Sequence, residues 1–153
     1  MDCCSSGAKM TQETAQNTCG ECGGVGRVVA RQTVLHHVRS EKLSCVGANE
    51  YKFCPSESCS ILYYSVAGAV FTVEDLRELV TAKVSGDARP ICYCFGFTEV
   101  FIRDEIERTG KSSVPAQVAQ FIKEKLCVCE IRNPAGACCL GEINRTVKNL
   151  VSN

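Results

Sequence analysis

Cys92-Tyr93-Cys94-Phe95-Gly96-Phe97-Thr98 is answered downstream by Cys129-Glu130-Ile131-Arg132-Asn133-Pro134-Ala135-Gly136-Ala137-Cys138-Cys139. Each segment sets a cysteine pair or near-pair in a turn, and an amphipathic helical pattern opens just after it. Iron–sulfur clusters need four thiolates converging on one small volume, commonly from loops whose free backbone N–H groups can bond the sulfurs. A two-iron, two-sulfide cluster on four thiolates carries a charge of about −2. Helix N-termini, with their unpaired N–H groups, offset such a charge. Both segments stand where helix N-termini are expected, so together they read as a cluster site.

Upstream, Cys19-Gly20-Glu21-Cys22-Gly23-Gly24-Val25-Gly26 is a metal knuckle, two thiols two residues apart followed by glycines that let N–H groups fold back on sulfur. Its counterpart is Cys54-Pro55-Ser56-Glu57-Ser58-Cys59. Tyr51 and Phe53 before it and Ile61-Leu62-Tyr63-Tyr64 after it are β-prone, which predicts two strands presenting Cys54 and Cys59 at one end. Four thiolates at this spacing, with no redox role, are the pattern of structural zinc.

Thirteen cysteines in 153 residues decide the class. A secreted disulfide scaffold would need an apolar leader, whereas residues 1–18 are polar, and the odd count would leave one thiol over. Metal ligation in a reducing cytoplasm accounts for both the number and the pairing. Net charge is zero and no Lys/Arg run occurs, so nucleic acid is not the expected partner. The longest apolar stretch, residues 61–71, is broken by Ser65 and Gly68, so no membrane insertion is expected.

The expected fold class is α+β. A flexible tail (1–18) leads into a small zinc-ribbon or treble-clef-like β module with a helix (19–84), and a mostly helical cluster module follows (85–153). Thr72-Val73-Glu74-Asp75 reads as a helix cap, with Leu76, Leu79, Val80 and Val84 on one helical face. The polar run Ser85 to Pro90 marks the module boundary. Thr98 is expected to cap a helix through Thr109, with Phe101, Ile102 and Ile106 inward and Gly110 as the stop. Pro115 opens another helix bearing Val118, Phe121, Ile122 and Leu126. A last one over 142–151 presents Ile143, Val147, Leu150 and Val151. Residues 127–139 are expected as a loop. Each half is about 65 residues, a size at which a core alone seldom holds a fold and one metal centre supplies the missing constraint. His36 and His37, being adjacent, point in different directions and read as surface or partly packed residues. Cys45 has no partner at ligand spacing and reads as a small buried hydrophobe. Cys3 and Cys4 read as exposed tail thiols, with capture of a soft ion as the alternative.

These motifs resemble the N-terminal domain of CopZ-type copper chaperones from Cys19 to about Val151. The matching features are Cys19-x-x-Cys22 with its glycines, the Cys54 to Cys59 knuckle followed by Tyr63-Tyr64, Cys92-Tyr93-Cys94-Phe95, and Asn133-Pro134-Ala135-Gly136-Ala137-Cys138-Cys139. The second half also resembles the bacterioferritin-associated ferredoxin family in its C-x-C pair followed by a helix. The CopZ resemblance implies zinc on Cys19, Cys22, Cys54 and Cys59 and a 2Fe-2S cluster on Cys92, Cys94, Cys129 and one of Cys138 and Cys139. Cys139 is preferred because it directly precedes the last helix. Cys127 is then an extra thiol. The implied function is a cytosolic metallochaperone or one-electron redox module handling copper, or mercury as another soft metal, with reduction of cupric to cuprous ion. Electron-transfer or metal-reductase chemistry is expected, because no acid/base pair or nucleophile–base set marks a hydrolase or transferase. The family's Met-x-Cys-x-x-Cys copper loop does not occur in these residues. Partners would therefore be the copper ion itself, a copper-transporting ATPase, or a separate heavy-metal-domain protein. The alternatives are a ferredoxin-like electron donor in iron storage and a zinc-only binding adaptor.

Overall fold

The computed structural model describes residues 17–153. The first half is built on a four-stranded antiparallel sheet in the order β1 (Arg27–Val29), β2 (Tyr51–Phe53), β3 (Ile61–Ser65), β4 (Val70–Thr72). Lys52 pairs with Val28 on one side and Tyr64 on the other, which places β2 between β1 and β3. Helix α1 (Arg31–His37) and a 3-10 turn (Ser40–Cys45) connect β1 to β2. All five residues of β3 are buried, because both of its faces are covered. Leu62 and Tyr63 enter the main core with Val34, Val38, Tyr51 and Phe71, while Ile61 and Tyr64 pack beside Cys19, Cys54 and Cys59.

The second half opens with a two-stranded hairpin, β5 (Pro90–Cys92) and β6 (Phe97–Thr98). Helices α2 (Glu99–Thr109), α3 (Val114–Lys123), α4 (Cys129–Arg132) and α5 (Leu140–Ser152) follow. Thr98 caps α2 by accepting from Phe101 N, and Gly110 ends it in the left-handed region at φ 82°. Ile102, Val114, Val118 and Ile143 close a second core around Ile91, Cys92, Cys129 and Cys139. The protein is thus α+β, with an antiparallel sheet first and helices after it.

Several expectations are corrected. No helix forms after Thr72. The capping box between Thr72 and Asp75 is present, but it closes only a 3-10 turn, Val73–Asp75. The backbone beyond it is taken by extended pairing with the end of α1. Arg39 N donates to Asp75 O, Arg77 N donates to His37 O, and Val38 bridges Leu76. Tertiary pairing therefore overrides a local start signal. Phe101, Leu126 and Val151, expected on inward faces, are about half exposed. Phe101 instead lies against Phe97, with ring centroids 5.1 Å apart. The segment expected as a continuous loop over 127–139 contains the single turn α4. Asn17 and Thr18, expected in the tail, belong to the sheet edge, where Thr18 bridges Val25 and Tyr64 O–H donates to Asn17 O. Cys45 is half-buried against the first core, and its sulfur is engaged rather than free. Cys3 and Cys4 lie outside the described residues.

Candidate metal centres

The first knuckle is shaped by its glycines. Gly23 sits at φ 70°, so its N–H reaches back to Cys19 O at 2.8 Å, and Gly24 N donates to Cys22 Sγ at 3.4 Å. Gly26 is required by close approach, since a Cβ there would stand 2.2 Å from the Tyr64 hydroxyl. In the second knuckle, Cys54 continues β2 and its N–H donates to Leu62 O, while Cys59 N closes a turn onto Ser56 O. Ser60 Oγ donates to Glu21 Oε2 at 2.7 Å and ties the two knuckles together.

The four sulfurs gather about one point. Cys19 to Cys59 and Cys22 to Cys54 are each 3.6 Å apart, and all four lie within 4.8 Å of one another. A zinc–sulfur bond of about 2.3 Å in tetrahedral geometry demands an edge of about 3.8 Å. Two pairs already stand near that edge and none exceeds 4.8 Å, so the donor set fits one zinc ion. Four thiolates around a dication leave net negative charge, and Lys83 stands beside it, its ammonium donating to Cys59 O at 3.0 Å and to Ser56 O. The Gly24 N–H pulls the Cys22 thiol down to about 7, whereas burial pushes Cys59 up to about 12.

Cys92, Cys94, Cys129 and Cys139 are also brought together. Their sulfurs link end to end, Cys92 to Cys139 at 3.2 Å, Cys139 to Cys129 at 4.0 Å and Cys129 to Cys94 at 3.5 Å. Cys129 begins α4, and Cys139 is the N-cap residue of α5. Val128 N donates to Cys94 Sγ at 3.3 Å, and the Cys94 and Phe95 N–H groups face Cys92. Cys92 is pulled down to about 7, chiefly by the Cys139 thiol donating to it, and the same contact pushes Cys139 up. Cys138 is exposed while Cys139 is buried, and Cys127 is half-buried. Sulfurs strung between helix starts, with N–H donors aimed at them, fit the donor set of a cluster that spans two metals.

Of the adjacent histidines, His36 is exposed and His37 is buried, with burial holding the His37 imidazole at about 4. Spacing could identify cysteines but not the supporting residues. Thr33, His37, Tyr63 and Lys83 act through partners that lie 24 to 97 residues away in the chain. The only trace of these roles in the sequence was Tyr63-Tyr64 directly after the knuckle.

The fold and first site define a zinc-binding domain of the CopZ type. A family model for that zinc-binding domain matches residues 16–77. The chain belongs to the family of CopZ N-terminal domains. Its N-terminal-domain relative from Archaeoglobus fulgidus, solved by X-ray crystallography, superposes with a TM-score of 0.69 at 30% identity, covering 84% of this chain and 95% of that one. The copper chaperone CopZ of the same organism is 32% identical over 127 residues, which is 83% of this chain. The chain spans 60% of the length of that curated relative. No helix among the described residues is long and apolar enough to cross a membrane.

Proposed function

We propose that this chain is a cytoplasmic copper-handling module in which zinc holds the first half in shape and a 2Fe-2S cluster on Cys92, Cys94, Cys129 and Cys139 handles one electron. The observation that carries this reading is the unbroken 3.2–4.0 Å chain of those four sulfurs across the starts of α4 and α5. Held by these four cysteines, such a cluster would supply one-electron transfer. Cupric ion would be the substrate and cuprous ion the product. The chain's own contribution is to present thiolates, to aim N–H groups at them, and to bury Cys129 and Cys139 from water. Copper is the favoured substrate because the full-length relative is a copper chaperone. Its delivery would require a partner such as a copper-transporting ATPase or a separate heavy-metal-domain protein. Mercury is the other soft metal that thiolates would take.

The test is metal and sulfide stoichiometry on protein purified without oxygen. About one zinc, two irons and two acid-labile sulfides are expected, with a paramagnetic signal on dithionite reduction and cuprous ion formed from added cupric ion. About two zinc with no sulfide would instead identify a zinc-only adaptor. A cluster that reduces ferritin iron but not cupric ion would identify a ferredoxin-like donor.

A further inference from the structure

Three backbone carbonyls between Cys129 and Cys139 are held by side chains of the zinc-binding half. Thr33 Oγ1–H donates to Glu130 O at 2.6 Å, His37 Nε2–H to Ile131 O at 2.9 Å, and Tyr63 O–H to Pro134 O at 2.6 Å. All three donors are at most 1% exposed. Thr33 and His37 lie four residues apart and therefore on one face of α1, which packs on α4. Tyr63 pairs with Phe53, the residue before Cys54, and precedes Tyr64, which packs on the zinc cysteines. The other arm of the second quartet is tied the same way. Tyr93, between Cys92 and Cys94, donates its hydroxyl hydrogen to Leu79 O at 2.6 Å and accepts from Thr81 N, while its carbonyl accepts from Arg132 Nη2 at 3.0 Å. Both arms of the second quartet are thus tied to the zinc-binding half.

We propose that Thr33, His37 and Tyr63 are positioning residues through which the zinc-binding half sets the spacing of Cys129 and Cys139, so that retention of metal at the second centre is linked to the first. The proposal rests on the cluster reading. The donors are buried, and the bond from Tyr63 to Pro134 O is buried on both sides, so water cannot readily replace a lost donor there and the segment is freed to move. Linkage of this kind acts in both directions.

The test uses the full chain, purified without oxygen, as wild type and as the double variant Thr33→Val/Tyr63→Phe, with zinc content, iron release to a ferrous chelator and the reduced-state paramagnetic signal measured together. The double variant is expected to keep its zinc, to release iron about tenfold faster from the loss of one buried and one part-buried bond, and to shift the signal. A zinc-replete variant with wild-type release and signal overturns the proposal. If the double variant does not hold zinc, Tyr63→Phe alone is judged by the same criteria. His37→Gln, whose amide can replace the Nε2–H donor, should behave as wild type while His37→Leu releases iron faster. Equal behaviour of those two removes His37 from the set. Zinc-loaded wild type without acid-labile sulfide sinks the cluster reading separately. The brace is then read from hydrogen exchange at the Asn133 and Gly136 amides, which close turns in the held segment. Faster exchange in the double variant upholds the brace, and unchanged exchange overturns it.

Discussion

Cys19, Cys22, Cys54 and Cys59 sit at one end of a sheet, Cys54 continuing β2, and their sulfurs close around one point. Cys92, Cys94, Cys129 and Cys139 sit on a short hairpin and at two helix starts, and their sulfurs run as a chain. The first arrangement leaves no ligand position open, which suits an ion that only holds shape. The second spreads donors and N–H groups along a line, which suits an anionic centre whose charge changes by one. Two quartets of the same residue type are thus given different geometry by the backbone beneath them.

Breaking the first quartet should have the largest effect. Cys54→Ser removes a ligand at the end of β2, and the metal-binding free energy of a structural site is folding free energy, on the order of 10 kcal/mol. The variant is expected to lose zinc and the near-ultraviolet signal of Tyr51, Phe53 and Tyr63. Retained zinc with an unchanged thermal midpoint would remove the structural role. Breaking the second quartet should be read in the visible spectrum. Cys139→Ser is expected to bleach or shift the visible spectrum, whereas Cys138→Ser, at an exposed thiol, should leave it almost unchanged. The opposite result would move the fourth ligand by one position.

The two quartets differed in how far the sequence could reveal them. Cys19-x-x-Cys22 and Cys54 to Cys59 carry their geometry in local spacing, so their convergence could be anticipated from the glycines and the flanking β-prone residues. Choosing among Cys127, Cys129, Cys138 and Cys139 could not rest on spacing alone, because burial and helix starts separate them. Thr98 and Gly110 bounded α2 correctly because capping is a local property. The cap at Thr72 misled because the pairing of Val38 with Leu76 is not local. Helix α1 was missed for a related reason. Its inward residues, Thr33, Val34 and His37, include two polar side chains whose burial makes sense only once the carbonyls of Glu130 and Ile131 are in place.

That contact also makes the junction between the halves sensitive to acid. His37 is neutral in the fold, with burial lowering it from 6.5 to about 4, while Glu78 lies 4.0 Å from its Nδ1 and both His36 and Arg132 oppose a second positive charge. The unfolded chain therefore binds the extra proton first. The contribution of His37 is whole above about pH 6.5 and is lost as pH falls toward 4, with a ceiling of about 3 kcal/mol. Denaturant midpoints measured across that window should fall less steeply for His37→Gln than for wild type. Comparing the two chains cancels the acid release of zinc, which they share. Parallel slopes would show that His37 binds its proton equally in the folded and unfolded chain, and burial would not be holding it neutral.

The smallest expected effect separates backbone strain from contact between the halves. Gly96 and Gly136 both lie in the second quartet's segments and both adopt left-handed backbone, at φ 74° and 63°. A Cβ at Gly96 would meet nothing within 4 Å, so Gly96→Ala carries only the conformational penalty, about 1 kcal/mol. A Cβ at Gly136 would stand 3.2 Å from Val29 Cγ1, on the first sheet, and 3.6 Å from Glu130 O. Val29 is buried and cannot swing into solvent, so Gly136→Ala should cost about 1 kcal/mol more than Gly96→Ala. It should also push the segment ahead of Cys138 and Cys139 away from β1. Chemical denaturation of both variants, with zinc content monitored, measures the difference. Equal losses would mean that the segment does not bear on Val29.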